Sequence, residues 1–160
     1  MGRTVRIRDD HQSASDQSQS SDSGIEELLY LLPDLAEQLR LNKQLSLRLS
    51  KDIPGIAVKL VKLRAIFPDS NVLEMVGKRL SMLLDEEFSL IESNLEKLQA
   101  TLPGADVVSL IEQQPLFLFE DTEVILAELR RLLPGDPALH LSRNPGLLVL
   151  AMSNRNLSIW

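Results

Sequence analysis

From Gly24 onward, leucine, isoleucine and valine return at helical spacing between polar residues. Over Glu86 to Thr101 the apolar positions Phe88, Leu90, Ile91, Leu95 and Leu98 mix spacings of three and four, which predicts one amphipathic helix across 86–101. Four such stretches end on an apolar-proline pair, at Leu32-Pro33, Phe67-Pro68, Leu102-Pro103 and Leu133-Pro134, spaced 35, 35 and 31 residues apart. Proline stops a helix because its ring pushes the preceding residue out of the helical region, and Gly104 and Gly135 suit the turn that follows. Asp69, Asp106 and Asp136 stand where a side chain caps or charges the start of the next helix. A second proline, Pro115 or Pro145, comes 12 or 11 residues after the first and is placed to start a third helix; Leu80 and Leu45 take that place in the two upstream copies. The pattern predicts an all-α chain, an α-solenoid of about four three-helix repeats of 31 to 35 residues, covering 25–53, 54–84, 85–119 and 120–150, with a partial unit over 151–160.

Composition changes this picture mainly at the ends. Residues 9–24 read DDHQSASDQSQSSDSG, with one alanine as the only apolar residue, so 1–24 is expected to be a disordered leader ahead of a helical domain over 25–160. The opening MGRTVRIR is basic enough to suggest the remnant of a targeting segment, although it lacks the length and serine-rich amphipathic run of one. Arg6 stands where a myristoylation signal needs Ser or Thr. The longest apolar stretch, Gly146 to Met152, is far shorter than the roughly 20 residues of a membrane helix, so no membrane partner is expected. At its other end the chain stops at AMSNRNLSIW, where another helix would begin. An uncapped terminal unit is unfavourable in a solenoid, so a fragment, a truncated reading frame or a partner-capped subunit is expected.

The repeated order of helix, Leu-Pro-Gly turn, short helix and proline-led apolar block (QQPLFLF, RNPGLLVL) resembles the repeat of the mitochondrial transcription termination factor family, mTERF, in its plant and algal branch. The resemblance covers about residues 54–150, with a fainter copy over 25–49, and is carried most clearly by the two downstream units. It implies an α-solenoid with a concave face, residence in a mitochondrion or chloroplast, and binding of nucleic acid or an organellar ribonucleoprotein. Members that grip a duplex line the concave face with Lys and Arg, whereas the clearest repeats here are acidic.

Charge is unevenly placed. The net charge is -6, but residues 25–84 carry 9 basic and 7 acidic groups, while 85–160 carry 5 and 12. The basic stretch runs from Arg40 to Arg64, with Arg40, Lys43, Arg48, Lys51, Lys59, Lys62 and Arg64 against Asp52 alone. It reads either as a track for a phosphate backbone or as a solvated helix face, and it has no interleaved aromatics for base stacking. Lys78-Arg79 and Arg130-Arg131 are tandem pairs that share a place on successive units if the repeats stack in register; Arg130-Arg131 read chiefly as helix C-terminal cations. Arg143, beside Asn144-Pro145, is a further candidate contact. The acidic half and the open C-terminal unit suit a protein partner.

No enzymatic chemistry is expected. Cysteine is absent, which excludes disulfides and thiol chemistry. His11 and His140 have no second histidine near in sequence, and a structural role is expected for His140. Asp85, Glu86, Glu87, Glu120, Asp121 and Glu123 cluster at helix starts, where the helix dipole favours them. No GxGxxG, Walker A, HExxH or GxSxG motif occurs, so neither a metal nor another cofactor is expected. Asn156-Leu157-Ser158 is a glycosylation triplet read as idle.

Overall fold

The computed structural model describes residues 22–154, and over these the chain is all-helical, without a strand. The expectations placed on residues 1–21, His11 among them, and on Asn156-Leu157-Ser158 lie outside the described residues. Residues 22–24, read from composition as the end of the leader, are helical. The chain divides into two compact units at Val58 and Lys59.

The first unit holds helix α1 (22–31), a 3-10 turn Pro33–Leu35, α2 (Ala36–Leu41), α3 (Lys43–Leu49), a 3-10 turn Ser50–Asp52 and the start of α4 (Ile53–Ile66). Leu28, Leu32, Leu35, Leu39, Leu49 and Ile56 are its buried apolar side chains. Asn42 breaks α2 from α3 with a φ of -116° and ψ of 67°, and its side-chain amide donates to the Gln38 carbonyl at 3.0 Å. The buried Ser46 hydroxyl donates to the Leu39 carbonyl at 2.6 Å, so the polar group that crosses into the core has a partner. Asp52 caps α4 by accepting from the Gly55 N–H at 3.0 Å, and a side chain on Gly55 would run into that carboxylate.

The second unit follows the rest of α4 with α5 (Val72–Lys78), a 3-10 turn Leu80–Leu83, α6 (Asp85–Phe88), α7 (Ile91–Thr101), α8 (Val107–Gln113), a 3-10 turn Pro115–Leu118, α9 (Thr122–Leu132), α10 (Pro137–Arg143) and α11 (Leu147–Asn154). One local geometry recurs. The seven-residue helices α5, α8 and α10 start at Asn71, Asp106 and Asp136, each accepting a backbone N–H two or three residues on. They end at Arg79, Gln114 and Asn144, whose φ and ψ angles are -147° and 83°, -141° and 88°, and -142° and 86°. The common angles take the chain out of the short helix into the next apolar block in the same way each time.

That block departs from the third α-helix expected there. In two copies it is a 3-10 turn rather than an α-helix, and Pro115 opens one of them at the first helical position. Pro145 instead lies two residues before α11, whose Leu148 N–H bonds the Pro145 carbonyl at 3.1 Å. Asn71, not Asp69, caps α5; its side chain is one residue before the first helical position, within reach of the Glu74 N–H. The single helix expected over 86–101 is broken at Ser89-Leu90, and Leu90 is exposed. Ser89 and Ser93 hydroxyls donate to the Glu86 and Leu90 carbonyls there, competing with the helical ladder.

The core of the second unit centres on the turn Pro115–Leu118, whose four residues are all buried and which packs against α5, α7 and α8. At the other end α9 packs on α10 and α11, burying Ile125, Leu126 and Leu129. The turn between α9 and α10 needs Gly135, whose φ is 98°, a conformation side chains disfavour. His140 Nε2 lies 2.5 Å from the Pro134 carbonyl across this turn, so that nitrogen carries the proton and donates.

Candidate nucleic-acid interface

The cations singled out in the sequence separate by unit. In the first unit, Arg40 lies in the last turn of α2, Lys43 opens α3, Arg48 is in its last turn and Lys51 is in the 3-10 turn that follows; all four are exposed. Residues 38–51 contain no acid. The break at Asn42 opens a cleft of about 490 Å³ lined by Leu41, Asn42, Lys43, Gln44, Leu45 and Arg48. Leu41 is 78% exposed at its edge. The cleft therefore brings two cations, two amides and two leucine side chains to one surface.

In the second unit Lys62 and Arg64 stand exposed on α4. Lys59 does not. Its side chain is only 15% exposed; its ammonium donates to the Leu83 carbonyl at 2.7 Å, pairs with Asp85 Oδ1 at 2.6 Å and lies 5.7 Å from the centre of the Phe88 ring. It joins α4 to the start of α6 and satisfies a backbone acceptor at the end of a 3-10 turn. Lys78 donates to the Glu112 carbonyl at 2.8 Å and lies 3.8 Å from Glu74. Arg79 makes a two-pronged bond to Glu87, Nε to Oε1 at 2.8 Å and Nη2 to Oε2 at 3.2 Å, beneath a 4.9 Å approach to the Phe119 ring.

Arg143, the last residue of α10, is exposed and occupies the place that Lys78 holds at the end of α5. Arg130-Arg131 end the long helix α9, so they are not the counterpart of Lys78-Arg79. Arg131 bonds the buried Glu128 through Nη2 at 2.5 Å and Nε at 3.2 Å, and this carboxylate raises the arginine further above its ordinary value.

Hydrogen bonding to Lys59, followed by its charge, holds the Asp85 carboxyl below the usual aspartate value. A lowered folded value makes the pair stabilising above the ordinary aspartate pKa of about 3.9 and removes that support as pH falls through the folded value. Asp85→Asn is accordingly expected to flatten the acid limb of the stability curve below about pH 4, measured by urea unfolding at a series of pH values. An acid limb identical to that of the parent chain would exclude this assignment.

The acids read as helix-start residues divide as well. Asp121 caps α9 through the Glu123 N–H at 3.0 Å, and Asp85, Glu86 and Glu87 lie in the first turn of α6, where Asp85 and Glu87 are also paired with Lys59 and Arg79. A second cleft, of about 660 Å³, lies where α7 meets the start of α9, between Asn94, Lys97 and Thr101 on one side and Phe119, Asp121 and Glu123 on the other. Among the described residues no group of three or more His, Asp or Glu side chains is arranged to hold a metal ion, and no helix is long and apolar enough to cross a membrane. No known protein family, curated protein or solved structure matches the chain.

Proposed function

We propose that the chain is a non-enzymatic binding module, an mTERF-like α-solenoid of about four three-helix repeats acting in organellar gene expression, and that it meets nucleic acid through Arg40, Lys43, Arg48 and Lys51. The carrying observation is the joint exposure of these four cations in a stretch without an acid. The recurring short helix, common exit angles and following apolar turn support the repeat reading. Lys59, Lys78 and Arg79 leave the proposed interface because backbone carbonyls or carboxylates already hold them. Arg64 and Arg143 remain as secondary contacts, while Lys62 leaves the interface because it shares a groove with the carboxylates of Glu92 and Glu96, which disfavour a phosphate there.

Four phosphates neutralised on a duplex correspond to a slope of about -3.6 in log K against log salt, or roughly a 100-fold loss of affinity from 50 to 200 mM salt. Filter binding with single- and double-stranded DNA and RNA at these two concentrations measures it. Combined Arg40→Glu, Lys43→Glu and Lys51→Glu substitutions are expected to abolish binding while Lys78→Gln leaves it unchanged. Absence of salt-dependent binding at 50 mM would overturn the nucleic-acid reading.

A second reading, a helical scaffold that binds protein alone, is favoured by the apolar side chains left in solvent, Tyr30 on α1, Leu41 on α2 and Val61 on α4 above all. Under it the chain pulls down no nucleic acid at any salt concentration.

A further inference from the structure

Within the second unit, the part of α4 beyond Val58 and the α6–α7 segment enclose an open groove of about 700 Å³. Ala65, Ile66 and Phe88 supply its apolar lining, with Lys62 on the α4 side and Glu92 and Glu96 on α7. Ile66 and Phe88 are half-buried; the three charged residues are exposed. Neither Glu92 nor Glu96 has an ion-pair partner among the described residues, and Lys62 has none either. Lys97, the one cation of α7, lines the cleft formed with α9 instead.

This arrangement costs the isolated chain. Two carboxylates four residues apart on one helix repel each other, and a hydrophobic floor beside them stays wet. The same geometry is complementary to one kind of surface. Four residues of helix advance about 6 Å, so lysines or arginines one turn apart on a second helix match Glu92 and Glu96, with apolar side chains between them to cover Ala65, Ile66 and Phe88. A phosphate backbone or an anionic membrane is repelled by the same two carboxylates. We infer that this groove docks a basic amphipathic helix of a partner protein, separate from the proposed nucleic-acid surface on α2 and α3.

The test uses the full chain and a fluorescent peptide of about 18 residues, long enough to form a helix on binding, built from Leu at i, i+3, i+4 and i+7 and Lys elsewhere. Anisotropy titration is expected to show saturable binding that Glu92→Gln with Glu96→Gln weakens about 10-fold, as for the loss of two rim charge pairs. Glu120→Gln with Glu123→Gln, the same charge change at the other cleft, is expected to leave affinity within about twofold. Ala65→Arg, at an exposed helical position, fills the groove and is expected to abolish binding with the circular dichroism spectrum intact. Equal weakening by both glutamate pairs assigns the binding to general acidity and overturns the proposal, as does tighter binding of a Leu-Glu peptide. Sedimentation that shows a dimer dissociated by Glu92→Gln with Glu96→Gln overturns it in favour of a second copy of the chain. None of these outcomes depends on nucleic-acid binding.

Discussion

Phe117→Ala is expected to lower the stability of the second unit by about 3–5 kcal/mol, the usual range for removing a buried aromatic ring from a core that cannot collapse around the space. The ring is 0% exposed and belongs to the 3-10 turn that packs against α5, α7 and α8. Its loss therefore opens a cavity shared by three helices. Since a domain is typically stable by about 5–15 kcal/mol, the substitution removes a large part of that margin. Urea unfolding followed by far-ultraviolet circular dichroism measures this as a lower midpoint at unchanged slope. Leu139→Ala, at a side chain 47% exposed on α10, serves as the comparison and is expected to change stability by less than about 0.5 kcal/mol. Similar small effects at both positions would remove the turn from the core.

Arg79 provides the second large effect, and here stability separates a structural role from a binding role. Its side chain is 26% exposed and that of Glu87 20%; Ser81 adds a hydroxyl donor to Glu87 at 3.1 Å. Arg79→Ala leaves a half-buried carboxylate without its guanidinium and uncovers the Phe119 ring. A loss of about 2–3 kcal/mol is expected, between the worth of an exposed pair and the cost of breaking a fully buried one. Glu87→Ala should cost a similar amount, and the double variant less than the sum, because each single change already removes the shared interaction. Arg79→Lys keeps the charge but not the planar fork or the stacking, so only partial rescue is expected. Nucleic-acid affinity at equal folded fraction should be unchanged in all of these variants. A folded Arg79→Ala chain with weakened binding would return Arg79 to the interface.

The local parts of the fold were open to reading because their causes lie within a few residues. A proline restricts the residue before it, an aspartate side chain reaches an N–H two or three positions on, and a glycine takes a positive φ. Asp106, Asp136, Pro115 and Gly135 act in the expected places. Misplaced details arose where neighbours competed. Asn71 is nearer the start of α5 than Asp69, and two serine hydroxyls compete with the backbone in the stretch that periodicity alone made one helix.

The candidate site was less legible. A list of exposed-looking lysines and arginines cannot separate Lys62 from Lys59, three residues earlier on the same helix. What separates them is the Leu83 carbonyl, 24 residues away, and Lys78 is likewise held by a carbonyl 34 residues on. Ser142 reaches the Gly104 carbonyl over 38 residues, and Asn94 the Leu118 carbonyl over 24. Every residue carries a carbonyl, so these partners leave no trace in residue identity, and a one-residue shift in packing would select others.

Helical class, the spacing of the proline turns, the capping residues and the division of charge between the two halves of the chain were all determined by the sequence itself. Propensity, ring geometry and capping act over one turn of backbone, so neighbouring residues were enough to specify them. Tertiary structure alone decided which cations serve the fold and which face solvent. It also decided that Glu92 and Glu96 share a groove with Lys62 and that the PLFL block, Pro115–Leu118, becomes a buried 3-10 turn. Each of those outcomes depends on bringing together groups that lie tens of residues apart, where packing and distance, rather than local pattern, set the balance.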